Sequence, residues 1–154
     1  MHNKIDVVIM AGGKGERLMP LTKNTPKPLL KVGNKPIIEY STDLLASYGL
    51  KHIHISINYL GEQLITYFRD HNKHHIDFNF IQETKHLGTI GALNLLENLK
   101  NDYILVMNAD LLTNINIEAI FNDFILKQVD ALIATVYYNV AIPHDVVETK
   151  EGFV

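Results

Sequence analysis

Residues 8–30 read VIMAGGKGERLMPLTKNTPKPLL. The stretch opens as the end of a short apolar run, residues 5–10, interrupted only by Asp6. It breaks into a loop holding Gly12, Gly13 and Gly15, passes Arg17, and enters a segment with Lys23, Lys27 and Lys31. Four of the five prolines, Pro20, Pro26, Pro28 and Pro36, lie in this segment or just beyond it. The physical reading is a buried strand feeding a phosphate-binding loop. Glycine admits positive φ and close approach of a ligand to the main chain. Successive amide N–H groups in such a loop form a concavity for anions. Arg17 adds a planar fork suited to phosphate, and Lys27 a movable point charge. The prolines stiffen the backbone between the charges. A glycine turn flanked by solvated basic residues is the plainer reading, and the proline and lysine placement argues against it.

Outward from this loop, strand-like apolar runs alternate with helical periodicity. Strands are expected at residues 5–10, 52–57, 76–82, 103–108 and 131–138. Helices are expected at 36–48, 60–68, 90–99 and 117–126, the first with Pro36 in its opening turn and Gly49 as its stop. Such alternation predicts a parallel sheet covered on both faces. Right-handed crossovers then bring every strand's C-terminal end to one rim, where ligands of open sheets bind. The loops carrying residues 11–17, Asn58 and Tyr59, residues 82–89 and residues 108–110 are thereby expected around one crevice.

Composition narrows the classes. A length of 154 residues suggests one domain, and 47% apolar residues suffice for a sizeable core. The net charge of −3 gives no electrostatic case for nucleic-acid binding. With no cysteine, disulfides, thiolate metal sites and cysteine nucleophiles are excluded. No apolar run is long enough for a signal peptide or a membrane span, so a cytoplasmic protein is expected. The sequence shows no internal repeat. The histidine cluster at 71, 74 and 75 is expected to be solvated, because it falls on the rim opposite the crevice. His52 and His54 alternate on a strand with no carboxylate partner in view.

Asp110 follows the fourth strand in VMNADLL. A carboxylate there either holds Mg²⁺, which takes one or two carboxylates plus substrate phosphates, or caps a turn. The facing glycine loop favours the metal. The segment QETKHLGTIGA, residues 82–92, joins the third strand to the third helix. Gly88 and Gly91 permit close backbone approach and Thr89 can cap the helix.

AGGKGERLMPLT followed by PKPLL resembles the signature loop of the sugar-1-phosphate nucleotidylyltransferases. NYLGEQ, residues 58–63, and MNADLLTNI, residues 107–115, resemble the branch near mannose-1-phosphate guanylyltransferases. The likeness runs from Ile5 to about Val147. It implies a Rossmann-like three-layer α/β/α sandwich with a mostly parallel central sheet, with residues 1–154 forming one nucleotidyltransferase domain. It implies a nucleoside triphosphate, with GTP first, and a sugar 1-phosphate as substrates, Mg²⁺ as cofactor, and neither nucleic acid nor membrane as partner; self-association stays open. By this resemblance Arg17, Lys27 and Asp110 are the catalytic candidates, with Asp110 on the metal. Ala11, Gly12, Gly13, Gly15 and Arg17 would hold the nucleotide's phosphates, Gln82 and Gly88 its base, with Thr89 in support. Ala109 stands where the family's metal motif commonly has glycine. Asp145 replaces a glycine that normally lies against the sugar. Family members continue beyond the length seen here, so this chain is expected to be the nucleotide-binding part, without the sugar-binding part. Two rival readings are a nucleotide-binding regulatory module without turnover, and a cytidylyltransferase for an alcohol phosphate.

Overall fold

A computed structural model describes residues 4–85, 87–97 and 99–137. The core of the fold is a four-stranded parallel sheet in the order β5-β4-β1-β6. Its strands are β1 (Ile5–Met10), β4 (His52–Ile57), β5 (Asp77–Gln82) and β6 (Tyr103–Asn108). A two-residue antiparallel ribbon, β2 (Lys31–Val32) with β3 (Lys35–Pro36), turns about Gly33 at φ +68° and leads into α1 (Ile37–Ser47). Then follow α2 (Gly61–Asp70) between β4 and β5, and α3 (Ile117–Lys127) after β6. Asn116 caps α3 by accepting from the Ala119 N–H at 2.9 Å.

β1 is central because it is buried on both faces. Ile5, Val7 and Ile9 join a core with Ile53, Ile55 and Ile57 of β4, Ile38 and Leu45 of α1, Leu64 and Phe68 of α2, and Ile117 of α3. Side chains alternate along a strand, so Asp6 and Val8 face the other way. Val8, Ile81 and Ala92 are buried outside that main cluster. The chain climbs outward from β1 through β4 to β5 and then crosses to β6 on β1's other side. The switch point for ligand binding therefore lies at the C-terminal end of β1.

Two expected elements differ. The helix expected at 90–99 is only a short 3₁₀ segment, Gly91–Leu95, after which Leu96 is already extended. The segment opens on Gly91 without a side-chain cap, and of its 3₁₀ residues Ala92 alone is buried, so the packing that sustains a helix is missing. Further on, Asp6 accepts from the Lys100 and Asn101 N–H groups at 2.8 and 2.9 Å, and Leu95 and Leu99 are left exposed. The fifth strand, expected at 131–138, also fails to form: residues 131–137 carry no strand, and residue 138 lies outside the described residues. Strand propensity is realised only against a partner, and Ile133, Val136 and Tyr137 lie largely exposed.

On the opposite rim His71 and His75 are exposed as expected, while His74 joins a charge network. Asp43 accepts from His74 at 2.7 Å and pairs with Lys35 and Lys73; Lys73 also reaches Glu39, which takes the Tyr67 hydroxyl. Burial raises the Asp43 pKa, but hydrogen bonds from Lys35, Lys73 and His74 outweigh it and hold the carboxyl at about 2. His71 stacks on Tyr67. On the sheet, His52 does have a carboxylate partner, Asp77 at 3.1 Å, and buried His54 bonds Asn79 at 3.0 Å. Burial pushes the His54 pKa down, against an opposing pull from Asp6.

Candidate active site

The rim at the C-terminal ends of β1 and β6 encloses a cavity of about 570 Å³. Its floor is the glycine loop. The Ala11 N–H is spent within the sheet, donating to the Ser56 carbonyl at 3.0 Å. Among the described residues, the amides of residues 12–14 reach no backbone carbonyl, and all three residues line the cavity. Gly15 sits at φ +66°, and a Cβ there would lie 2.9 Å from Thr22 Cγ2. Both the left-handed backbone and the close contact require glycine.

The loop is held by side chains whose purpose the sequence did not reveal. Thr22, fully buried, donates its hydroxyl to the Gly15 carbonyl at 2.9 Å. The Tyr59 hydroxyl donates to the Lys23 carbonyl at 2.8 Å, and Gln63 Nε2 to the Asn24 carbonyl at 3.0 Å. Tyr59 and Gln63 thus brace the crevice, and neither Asn58 nor Tyr59 lines it. Pro26 and Pro28 flank Lys27, whose single 3₁₀ turn spans Lys27–Leu29.

Lys27 crosses the cavity to pair with Asp110 at the end of β6. Both side chains are about one-third exposed, at 37% and 34%, so water and ligands reach the pair. Ala109, beside it, is buried and donates its N–H to the Met10 carbonyl at 3.1 Å. Its methyl is thus accommodated where the resemblance expects glycine. Arg17 is exposed on the cavity wall in the 3₁₀ turn Glu16–Leu18.

The structure therefore brings Arg17, Lys27 and Asp110 into one cavity with Ala11, Gly12, Gly13 and Gly15, and sets Gly88 and Thr89 on its wall. It does not bring in Gln82. That side chain is exposed and turns back to donate to the Glu83 carbonyl at 3.3 Å. Its neighbour Glu83 is buried at 6% exposure and lines the cavity. The strand period explains the exchange: Phe78 and Phe80 pack on the main core, so Asn79, Ile81 and Glu83 share the other face. The alternating phenylalanines were the signal available in the sequence.

Among the described residues, no three His, Cys, Asp or Glu side chains converge on a point where they could hold a metal ion by themselves. A lone hard carboxylate still fits magnesium, which completes its shell with phosphate oxygens and water. Asp110 therefore suits an ion arriving with a nucleotide's phosphates. No helix among the described residues is long and apolar enough to cross a membrane.

Set against known proteins, residues 6–151 match the family described as nucleotidyl transferase. The chain belongs to the nucleotidyl transferase family. A mannose-1-phosphate guanyltransferase of Yarrowia lipolytica is 39% identical over 109 residues, covering 68% of this chain and 30% of that protein. A putative glucose-1-phosphate thymidylyltransferase from Bacillus anthracis, solved with a sucrose, matches with a TM-score of 0.71 at 28% identity, over 80% of this chain and 51% of that one. HddC from Yersinia pseudotuberculosis, complexed with GMP-PN, matches with a TM-score of 0.65 at 29% identity, over 81% of this chain and 54% of that one. This nucleotidyl transferase chain thus spans less than a third of the curated relative it matches. It shares with the solved relatives the Rossmann-like sheet that positions the cavity.

Proposed function

We propose that this chain is the nucleotide-binding part of an enzyme that joins a nucleoside triphosphate to a sugar 1-phosphate, releasing pyrophosphate, with GTP as the preferred nucleotide. The observation that carries the reading is the cavity itself: loop amides, Arg17 and the Lys27–Asp110 pair meet at the switch point of a parallel sheet. The names of two relatives support guanine, one a guanyltransferase and one bound to GMP-PN, while a third names thymidylyl transfer.

In this reading the loop amides and Arg17 bind the triphosphate. A sugar-phosphate oxygen attacks the α-phosphorus in line and pyrophosphate departs. The attacking phosphate is already largely ionised near neutral pH, its second pKa being about 6, so no general base is needed. Lys27 swings from Asp110 to offset charge at the reacting phosphate, and Asp110 is left to hold magnesium. When bound, that ion neutralises phosphate charge. Catalysis is then positioning plus electrostatic stabilisation. We place the enzyme in the cytoplasm.

Asp145, which stands where the family keeps a glycine against the sugar, lies outside the described residues. A charged side chain at that position favours one second reading, a module that binds nucleotide without turnover. Pyrophosphate release, measured with Mg²⁺ across nucleoside triphosphates and hexose 1-phosphates, separates the two. Release requiring one of each substrate, GTP best, is the expected result. Nucleotide binding with no release from this chain or a C-terminally extended form would leave only the module.

A further inference from the structure

We propose that Glu83 reads the base of the bound nucleotide, its two carboxylate oxygens accepting from the adjacent N1–H and 2-amino donors of guanine. The inference rests on the cavity being a nucleoside triphosphate site. Glu83 is 6% exposed, yet it lines the cavity and plays no part in the transfer chemistry. Its backbone is fixed: the N–H donates to the Ile57 carbonyl at 2.8 Å, and its carbonyl accepts from Asn58 Nδ2 at 2.8 Å. The carboxylate lies against the glycine loop, where a Cβ on Gly12 would come within 2.7 Å of Glu83 Oε1. Gly12 therefore clears the space that Glu83 occupies.

Charge divides the cavity. Phosphates are drawn to Arg17, Lys27 and the amides of residues 13 and 14, and are repelled by the carboxylate beside Gly12, so the uncharged end of the nucleotide faces Glu83. An ionised carboxylate only accepts hydrogen bonds. Of the common bases, guanine alone presents two neighbouring donors on its pairing edge. Uracil and thymine offer one donor between acceptors, and adenine and cytosine one donor beside an acceptor. A site whose buried groups would be left unpaired by the wrong ligand discriminates strongly. Ribose hydroxyls are the other donors of a nucleotide, so the test must tell sugar from base.

Isothermal titration of the chain with Mg²⁺ complexes of GTP, ITP and 2′-deoxy-GTP does so, because ITP lacks the 2-amino group and 2′-deoxy-GTP one ribose hydroxyl. The unmodified chain is expected to bind GTP roughly tenfold more tightly than ITP, and 2′-deoxy-GTP as well as GTP. In Glu83→Gln the GTP-to-ITP ratio should collapse toward one. UTP should gain relative to GTP, since an amide offers the acceptor and donor that uracil's N3–H and O4 require. Equal binding of GTP and ITP by the unmodified chain would overturn the proposal without using any variant. So would a loss on 2′-deoxy-GTP that vanishes in Glu83→Gln, which would put the carboxylate on the ribose. Tight GTP binding indifferent to Glu83 would sink this inference alone, whereas failure of every triphosphate to bind would remove the reading of the cavity beneath it.

Discussion

Replacing Lys27 by alanine is expected to lower pyrophosphate release by about 10²–10³-fold, the scale on which one preorganised charge-stabilising donor acts in a transition state. The residue is placed for that task before any ligand arrives. Pro26 and Pro28 fix the backbone on either side, and the ammonium group already spans the cavity to Asp110. The change should spare the fold, because the pair is part-exposed and exposed ion pairs contribute only about 0–1 kcal/mol. An unshifted thermal midpoint beside a collapsed rate would support a catalytic lysine. A variant with near-normal turnover would show that Lys27 merely neutralises Asp110.

The largest effect on stability is expected from Asp6→Ala. Asp6 is fully buried and interrupts an otherwise apolar strand. Its Oδ2 accepts from the Lys100 and Asn101 N–H groups at 2.8 and 2.9 Å, and its Oδ1 from Asn101 Nδ2 at 3.0 Å. Alanine would leave three donors without their acceptor and loosen the return crossover where it enters β6. Hydrogen bonds to charged groups contribute about 1.5–3 kcal/mol each and are not additive, so a loss of about 3–5 kcal/mol is expected. At this chain length that lowers the melting midpoint by roughly 10 °C. Asp6→Asn should cost less, since its carbonyl oxygen can still serve the two backbone donors. Equal midpoints for Asp6→Ala and the unmodified chain, by calorimetry, would show that residues 100 and 101 are held by something else.

The fold was legible wherever a segment carried its own period. Residues 52–57 and 103–108 are strands with the expected ends, and the helices near 36–48, 60–68 and 117–126 lie within two residues of expectation. Misreadings came where the outcome depends on distant partners. The 90–99 segment has helical spacing, but Ile90, Leu95 and Leu99 lie exposed, so its apolar stripe finds little to pack on. Residues 131–137 have strand composition, yet among the described residues they pair with no strand. Asp6 was visible only as a flaw in an apolar run, because its three donors lie more than ninety positions away. At the site, the glycine spacing, Arg17 and Lys27 stand close together in sequence, and the structure gathers them on one cavity. Gln82 and Glu83 are adjacent, and which one turns inward depends on the pleat; the resemblance pointed to the glutamine while strand parity selects the glutamate. Thr22 and Tyr59 look ordinary in sequence and matter only through the carbonyls they hold.

The cavity at the C-terminal ends of β1 and β6 is proposed to hold a nucleoside triphosphate. The most direct test is equilibrium titration of the chain with GTP and Mg²⁺, beside Arg17→Ala and, as a control on the opposite rim, Lys73→Ala. Saturable one-to-one binding is expected, weakened roughly tenfold or more in Arg17→Ala, as loss of a charge-assisted phosphate contact implies, and unchanged in Lys73→Ala. Absence of binding, or equal affinity with and without Arg17, would contradict the account.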